Sequence, residues 1–295
     1  MKNDGRKGFA IKPAHRWTGY QGLVLAGDSW GDPGTPLVVL LHGAGQTRHA
    51  WKATGTVLGH AGLYAIAFDA RGHGDSDWSG NGLYGPNANV ADLLAILAQL
   101  DESKPILVGA SMGGNTSLIA TGEAHIETSA LVLVDTAPHI ESDGVARIRR
   151  FMAQNPNGFD TLEDVARAIA TYQPHRTRSK SLEGLAKNVR VGTDGRYYWH
   201  WDPRTRETPV DLPEREKRLR ECARRLAVPT LLVRGGLSDV LSQEGADDFL
   251  ALCPHSEYVN VAGGAHMVAG DRNDLFARSV VDFLTRAIVT NHHFK

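Results

Sequence analysis

The stretch VGASMGGNTSLIA, residues 108–120, places one serine among glycines where an apolar run passes into a helix-like pattern. Glycine loses more conformational freedom on folding than other residues, so glycines around Ser111 indicate that the backbone needs close space there. A serine on a tight strand-to-helix turn, with small residues two positions before and after it, forms a nucleophile elbow. The apolar segment KPILV precedes this turn as a predicted strand, and SLIATGEA follows it as a predicted helix, as that arrangement requires. We therefore predict that Ser111 is a catalytic nucleophile.

Short apolar runs alternate with longer amphipathic segments along most of the chain. The runs cover residues 36–42, 63–70, 105–111, 130–137, 229–236 and 256–264. Their continuous apolarity is typical of strands buried on both faces, which occur in parallel sheets covered by helices. Before them, residues 19–31 predict an antiparallel hairpin at one edge. The predicted fold class is α/β, with a mostly parallel sheet flanked by helices.

The alternation stops between residues 138 and 227, where no buried-strand run occurs. This stretch contains amphipathic segments such as TLEDVARAIATY (161–172) and an aromatic, hairpin-like piece, VGTDGRYYWHWDP (191–203). An insertion of this length is too long for a loop. We predict a mainly helical cap at 138–227, inserted between the sixth and seventh strands of a core domain formed by 1–137 and 228–295.

Composition excludes several classes of protein. Of the 295 residues, 42 % are hydrophobic and 22 % charged, and the formal net charge is −1, so no nucleic-acid partner is expected. No run approaches 18 apolar residues, and the start of the chain lacks the apolar stretch of a secretory signal. The two cysteines, Cys222 and Cys253, are too few for a disulfide framework. These features predict a cytoplasmic protein with no membrane partner.

A serine nucleophile needs a base, and the base needs an orienting acid. In this architecture the expected chain order is serine, acid, histidine. His266 follows the last strand run, where a loop can carry it back over Ser111, and is the predicted base. Two aspartates follow strand runs: Asp239 in LLVRGGLSDVLS and Asp135 in LVLVDTAP. Asp239 is favoured because a glycine-opened loop can lead its carboxylate toward the histidine, and Asp135 stays the alternative.

Attack on a carbonyl also requires two donors for the oxyanion. The predicted donors are the backbone N–H groups of Met112, directly after the nucleophile, and of Ala44, in the loop after an earlier strand. Aromatic residues of the cap are expected either to line an apolar substrate pocket or to pack the cap onto the core. The predicted pocket residues are His42, Phe151, Met152, Tyr197, Tyr198, Trp199, Trp201 and Met267.

The motifs HGAG, FDARGHGDSD (68–77), GASMGG, GGLSD and GGAH occur in the order and spacing of the α/β-hydrolase superfamily. The chain resembles its capped branch of epoxide-hydrolase-like and non-haem-peroxidase-like bacterial enzymes. True epoxide hydrolases and haloalkane dehalogenases have an aspartate nucleophile where this chain has Ser111. The resemblance therefore implies an acyl-enzyme on serine, and it implies a structural role for Asp69 and His73.

These observations predict hydrolysis of a carboxylic ester or lactone of a small to medium, largely apolar substrate. We expect no organic cofactor and no metal, because Ser111, His266 and an aspartate suffice for the chemistry. A carbon–carbon bond hydrolase of ring-cleavage products and a cofactor-free perhydrolase use the same side chains and stay open. A ligand receptor with a slow site on the same fold is a further alternative. The sequence leaves open whether the protein is a monomer or a homodimer.

Overall fold

An eight-stranded sheet forms the centre of the protein in a computed structural model that describes residues 7–8, 12–172, 185, 187–207, 211–266 and 273–292. In chain order the strands are β1 (Lys7–Gly8), β2 (His15–Thr18), β3 (Val24–Trp30), β4 (Leu37–Leu41), β5 (Tyr64–Phe68), β6 (Ile106–Ala110), β7 (Ala130–Val134), β8 (Val189–Val191), β9 (Tyr197–Trp199), β10 (Thr230–Gly235) and β11 (Glu257–Val261). The α-helices are α1 (Lys52–His60), α2 (Pro86–Gln99), α3 (Met112–Gly122), α4 (Ser142–Ala153), α5 (Leu162–Tyr172), α6 (Leu212–Arg224), α7 (Gln243–Leu252) and α8 (Asn273–His292).

The strand order of the central sheet is β11-β10-β7-β6-β4-β5-β3-β2. Its pairs are parallel from β11 through β5, whereas β3 pairs antiparallel with both β5 and β2. The predicted mostly parallel, helix-flanked sheet is therefore confirmed. The predicted edge hairpin exists, but its first strand lies before residue 19, because β2 occupies His15–Thr18.

Two apolar layers cover the two faces of this sheet, and β4 contributes to both. Leu37, Val39 and Leu41 point into the layer shared with α2, α3, α6 and α7. Val38 and Leu40 point into the layer shared with α1 and α8. Successive side chains of a strand alternate between faces, so a strand apolar at every position must be covered on both sides. The continuous apolar runs of the sequence are explained by this burial.

The chain between β7 and β10 forms α4, α5, the β8–β9 hairpin and α6. The hairpin belongs to a second, three-stranded sheet in which β1, from the start of the chain, pairs antiparallel with β8. The sequence did not predict this pairing. At the other end of the segment, Leu219 and Cys222 of α6 are buried in the layer that also contains α3. The boundaries of the cap at residues 138 and 227 stay a prediction.

None of the helices in the described part of the chain is long and apolar enough to cross a membrane.

The connections that follow the neighbouring strands β4 and β6 run in opposite directions along the sheet. From β4 the chain continues through α1 to β5 on one side, and from β6 through α3 to β7 on the other. In open α/β sheets, such a reversal opens a crevice beyond the carboxyl ends of the strands, where ligands bind. The segments Gly43–Gln46 and Ser111–Met112 follow β4 and β6 and therefore meet at this crevice.

Helix α3 lies against the sheet without side chains between the two backbones. A Cβ atom on Gly113 would lie 2.2 Å from the carbonyl oxygen of Leu41 in β4. A Cβ atom on Gly109 would lie 2.4 Å from the carbonyl oxygen of Gly113. Both neighbours are backbone atoms, which cannot move aside as a flexible side chain can. The glycines around Ser111 are therefore required by the contact between β4, β6 and α3.

We expect Gly113→Ala to lower the free energy of unfolding by about 1–3 kcal/mol, because the methyl group forces α3 away from β4. The measurement is urea unfolding followed by circular dichroism. Gly34→Ala is the control, since its Cβ would meet nothing closer than Asp32 Oδ1 at 3.4 Å. This change should alter stability by less than about 0.5 kcal/mol. Equal unfolding midpoints for Gly113→Ala and the wild type would contradict the assignment.

Candidate active site

Ser111 occupies the turn between β6 and α3 in a strained backbone conformation. Its φ is 49° and its ψ is −110°, which is rare for a residue with a side chain. Its N–H donates to the Val134 carbonyl at 3.2 Å, and its carbonyl accepts from Asn115 N at 2.9 Å. A residue held in such a conformation costs on the order of 1–3 kcal/mol, and such residues cluster at active sites. Ser111 is among the residues that line a cavity at the crevice.

Asp135 is the residue directly after β7, the strand next to β6. It also has a positive φ, of 50°, and its N–H donates to the Val233 carbonyl of β10 at 2.7 Å. Its carboxylate is fully buried and accepts hydrogen bonds from Gly235 N–H at 2.8 Å and from the Ser238 hydroxyl at 2.5 Å. The carboxylate is thus held from two sides at the carboxyl edge of the sheet.

His266 completes the group from the loop after β11. Its Nδ1 lies 2.6 Å from Asp135 Oδ2, and the two side chains are 8 % and 0 % exposed. A carboxylate can only accept, so Nδ1 carries the proton of the neutral imidazole. This leaves Nε2 as the nitrogen with a free lone pair, which is the form that acts as a general base.

The prediction that Asp239 orients His266 is wrong, and the alternative, Asp135, makes the contact. Asp239 instead pairs with Arg147 of α4, at 2.6 Å. Helix α4 also packs directly on this segment, since a Cβ atom on Gly144 would lie 2.2 Å from the Asp239 carbonyl oxygen. The physical reason is distance from the sheet. Asp135 follows its strand immediately, whereas Asp239 stands four residues beyond β10 and is carried outward to α4.

The two predicted oxyanion donors lie at the same crevice. The Met112 N–H is at the first position of α3, where a helix leaves its amides without intrahelical acceptors. In the turn after β4, Gly43 N–H donates to Gln46 Oε1 at 2.8 Å and Gly45 N–H donates to His73 Nε2 at 3.3 Å. The intervening Ala44 N–H is not engaged in either bond. Ala44 and Met112 line the same cavity as Ser111, and their role as oxyanion donors stays a prediction.

The cavity above Ser111 has a volume of about 420 Å³. Much of its wall is aliphatic, and the main contributors are Ile119, Ile140, Ile148, Met152, Leu219 and Val240. Its polar part includes five arginines, namely Arg71, Arg149, Arg206, Arg215 and Arg218. A pocket of this size and character suits a small molecule that is largely apolar and has a few polar groups.

Met152 lines the cavity as predicted, but the cap aromatics do not. Trp199 and Trp201 stack on each other with ring centroids 4.8 Å apart, and Phe151 lies 5.1 Å from Trp199. Phe159 joins them edge to face at 5.0 Å from Trp199. Aromatic rings on alternate positions of the hairpin face the helices of the cap, and together they form its apolar core. These side chains build the cap and are absent from the cavity wall of the described residues.

The remaining predicted pocket residues lie elsewhere. Tyr197 packs against the apolar core of the cap, and the Tyr198 hydroxyl donates to Asp194 Oδ2 at 2.8 Å. His42 is buried below the turn that contains Ala44, where its Nδ1 donates to the Gly43 carbonyl and its Nε2 accepts from Ala70 N–H. Met267 lies outside the described residues.

Three buried histidines support the Ala44 turn, and sequence reasoning did not find this cluster. The rings of His42 and His73 are 5.3 Å apart, and those of His73 and His200 are 6.1 Å apart. His200, from the cap, accepts Gly74 N–H on Nδ1 at 3.0 Å. Burial lowers the pKa of His42 to about 4 and that of His73 to about 3. All three rings accept a backbone N–H, so the cluster holds the turn only in its neutral form.

A sequence signal for this cluster existed in the two HG pairs that follow β4 and β5, at His42 and His73. The resemblance implied a structural role for His73, and its bond to Gly45 N–H agrees with that. The partner His200 lies 127 positions further along the chain. No spacing rule connects it to the other two histidines.

Comparisons with known proteins agree with the α/β fold described above. The sequence profile of the alpha/beta hydrolase family matches residues 38–279. An esterase of Mycobacterium tuberculosis is 28 % identical over 249 residues, which cover 82 % of this chain and 80 % of the relative. A 3-hydroxybutyrate-oligomer hydrolase of Cupriavidus necator is 29 % identical over 287 residues, covering 90 % of this chain and 93 % of the relative.

Among solved structures, E-2-(acetamidomethylene)succinate hydrolase superimposes with a TM-score of 0.80 at 21 % identity, covering 92 % of this chain and 98 % of that one. The meta-cleavage product hydrolase of Pseudomonas fluorescens IP01 superimposes with a TM-score of 0.76 at 18 % identity, covering 94 % and 100 %. At these identities the structural likeness concerns the fold.

We expect the histidine cluster to make the protein acid-sensitive. The folded-state pKa of His73 lies below its ordinary value of 6.5, so below about pH 6.5 the unfolded chain binds more protons and stability falls. One such group lowers the free energy of unfolding by about 1.4 kcal/mol per pH unit well below pH 6.5, or by about 2 kcal/mol between pH 7 and pH 5. His73→Gln, whose amide oxygen can still accept Gly45 N–H, should reduce this loss by about that amount in urea unfolding.

The exposed His60 of α1 provides the matched control. His60→Gln should leave the loss between pH 7 and pH 5 unchanged. If His73→Gln and His60→Gln showed the same pH dependence as the wild type, the neutral buried cluster would be refuted.

Proposed function

We propose, from the premise that the chain belongs to the alpha/beta hydrolase family, that it hydrolyses carboxylic esters or lactones through an acyl-enzyme on Ser111. Membership and its esterase and hydrolase relatives make it a hydrolase. The observation that carries the finer proposal is the 2.6 Å contact between His266 Nδ1 and Asp135 Oδ2. This contact stands at the sheet edge to which Ser111 also belongs.

In the proposed first half-reaction, His266 Nε2 takes the hydroxyl proton of Ser111 while the Ser111 oxygen bonds to the substrate carbonyl carbon. The carbonyl oxygen becomes an oxyanion that accepts hydrogen bonds from Ala44 N–H and Met112 N–H. As the carbonyl re-forms, the bond to the alcohol oxygen breaks and the imidazolium returns its proton to that oxygen. Asp135 stabilises the charged imidazole throughout.

In the second half-reaction, His266 takes a proton from water, and the resulting hydroxide attacks the ester carbon of the acyl-enzyme. The bond to Ser111 breaks, its oxygen regains the proton, and the carboxylic acid leaves. All proton transfers use one imidazole, which explains why its tautomer must be set by a buried carboxylate. Besides the substrate and one water molecule, the steps use side chains and backbone amides of this chain.

The cavity supports a substrate of small to medium size. Its volume of about 420 Å³ is within the range of small-molecule sites, and the aliphatic part of the wall suits an acyl or alcohol chain. One relative is named an esterase and another an oligomer hydrolase, which agrees with cleavage of an ester bond.

We expect Ser111→Ala to lower kcat for p-nitrophenyl esters, from acetate to octanoate, by about 10⁵–10⁶-fold, because the nucleophile is removed. Nitrophenol release measures the rates. Ser142→Ala, at an exposed serine of α4, is the matched control and should keep the wild-type rate. A fluorophosphonate probe should add a single covalent label to the wild type, on the peptide that contains Ser111. Retention of more than a tenth of the activity in Ser111→Ala would refute the acyl-enzyme.

Substitution of Asp135 should lower kcat much more than substitution of Asp239 in the same assay. Asp135→Asn should lower kcat by about 10³–10⁴-fold, because the amide no longer sets the tautomer or stabilises the charge of His266. Asp239→Asn should lower kcat less than about 10-fold, because it removes only the partly exposed pair with Arg147. The opposite ranking of the two variants would show that the Asp135 contact is not the functional one.

Carbon–carbon bond hydrolysis of ring-cleavage products is the second candidate, since it uses the same serine, histidine and aspartate. The observation that favours it is the set of cavity arginines, because such products carry a carboxylate. Its test is turnover of a 2-hydroxy-6-oxodienoate followed by loss of visible absorbance. Cleavage of this substrate with kcat/KM above that for every ester tested would replace ester hydrolysis as the proposed function.

A further inference from the structure

Arg215 of α6 lines the cavity and is anchored next to the candidate active site. Its Nη1 donates to the Pro138 carbonyl at 2.8 Å, and its Nη2 donates to the Ala137 carbonyl at 3.2 Å and to Asn115 Oδ1 at 2.8 Å. Ala137 and Pro138 follow Asp135 in the chain, and Asn115 follows Ser111 by four residues. The guanidinium therefore lies between the segments that leave β6 and β7.

Two other arginines of the cavity wall, Arg71 and Arg218, are neutralised by carboxylates, whereas Arg149 and Arg206 donate to the carbonyl oxygens of Arg206 and Pro203 at 2.6 and 3.1 Å. Arg71 donates to both carboxylate oxygens of Asp92, at 2.6 and 2.7 Å, and Arg218 donates to both of Glu123, at 2.6 and 2.8 Å. Arg215 differs from both, because the acceptors found for it in the described residues are two carbonyls and an amide. Its positive charge is held in place but is not compensated by a carboxylate in the described part of the chain.

Nearby acidic side chains have other partners. Asp211 and Glu214 also line the cavity, but Asp211 accepts the Glu214 N–H as the N-cap of α6, and the Glu214 carboxylate lies 4.0 Å from Lys217 Nζ. Glu216 raises the pKa of Arg215 from a distance, while its own carboxylate lies near Arg220. Burial is the larger effect and lowers the pKa of Arg215 to about 10, so the guanidinium is charged at neutral pH.

The guanidinium also has donors to spare. Of its five N–H groups, the three bonds above use one on Nη1 and two on Nη2. Among the described residues, Nε–H and the second Nη1–H have no acceptor, so they can donate to a ligand. These two N–H groups point to opposite sides of the guanidinium, so each can donate a separate charge-assisted hydrogen bond to a carboxylate oxygen.

The distance to the reacting bond follows from the helix. Ser111 directly precedes α3, and the Asn115 N–H donates to the Ser111 carbonyl at 2.9 Å, so Asn115 stands one turn of chain beyond the nucleophile. Asn115 touches Arg215 directly, so an anion bound to Arg215 lies a few bonds from a carbonyl attacked by Ser111. A ligand that spans the two must carry its negative charge within the same small molecule as its ester group.

We propose that Arg215 binds a carboxylate of the substrate, so that the substrates of this enzyme are esters that carry a free carboxylate a few bonds from the cleaved carbonyl. This inference rests on the proposed function and adds the chemical class of its substrate. Half-esters of dicarboxylic acids and esters of hydroxycarboxylic acids belong to this class.

The test compares pairs of esters that differ in charge and little in shape. Monoethyl succinate is paired with ethyl butyrate, and monoethyl adipate with ethyl hexanoate, with rates measured by pH-stat at constant ionic strength. The wild type should have a higher kcat/KM for the anionic member of at least one pair. Arg215→Gln should lower the ratio of anionic to neutral kcat/KM about 10- to 100-fold, the usual value of a hydrogen-bonded charge pair. Arg215→Lys should retain part of this ratio.

Arg150→Gln is the matched control, because it removes the same charge from an exposed position of α4 outside the cavity wall. It should leave both rates and their ratio as in the wild type. The proposal is overturned if the wild type shows no preference for either anionic ester, or if Arg215→Gln lowers both rates by the same factor.

If Arg215→Gln fails to fold, inhibition of the wild-type enzyme still tests the proposal. Butyrate should inhibit hydrolysis of ethyl hexanoate with a Ki at least tenfold below that of butyramide, and equal Ki values would overturn the proposal. Failure of this inference is distinguishable from failure of the proposed function. If neutral esters are hydrolysed in a Ser111-dependent way without any anion preference, only the Arg215 assignment falls.

Discussion

The contact between the backbones of α3 and β4 at Gly113 is the constraint on which the site depends. It brings the first turn of α3 to the carboxyl edge of the sheet, because a Cβ at this position would lie 2.2 Å from the Leu41 carbonyl oxygen. Only with the helix this close can Ser111 stand in its positive-φ turn with the Met112 amide beside it. The strain at Ser111 is sustained by burial of the strand before it and the helix after it.

The parallel register of the sheet places Asp135 at the same edge as Ser111. Strand β7 ends level with β6, since Ala110 pairs with Val134, so the residue after each strand stands at the same edge. At that edge the Asp135 carboxylate accepts hydrogen bonds from Gly235 N–H and from the Ser238 hydroxyl, and it is also in contact with His266. A carboxylate so deeply bonded is a rigid support for an imidazole. The salt bridge of Asp239 with Arg147, by contrast, links the cap helix α4 to the core.

The cap has a core of its own, made of stacked Trp199 and Trp201 with their neighbours. The rings therefore stabilise the cap, whereas aliphatic side chains and arginines line the cavity. His200, within the same hairpin, reaches the histidine cluster beneath the Ala44 turn. One short cap segment is thereby tied both to the cap core and to the proposed oxyanion donors.

The sequence by itself determined the sheet and the turn at Ser111, because apolar periodicity and glycine spacing are local properties of the chain, and it predicted an insertion before β10 and a role for His266. It also reduced the acid to Asp135 or Asp239, since both follow strands. Only the tertiary structure decided between them, and only it showed that Arg215 is charged without a carboxylate partner among the described residues. The physical reason is that hydrogen-bond partners such as Asp135 and His266 are set by strand order and register. These bring together residues 131 positions apart that no local pattern connects.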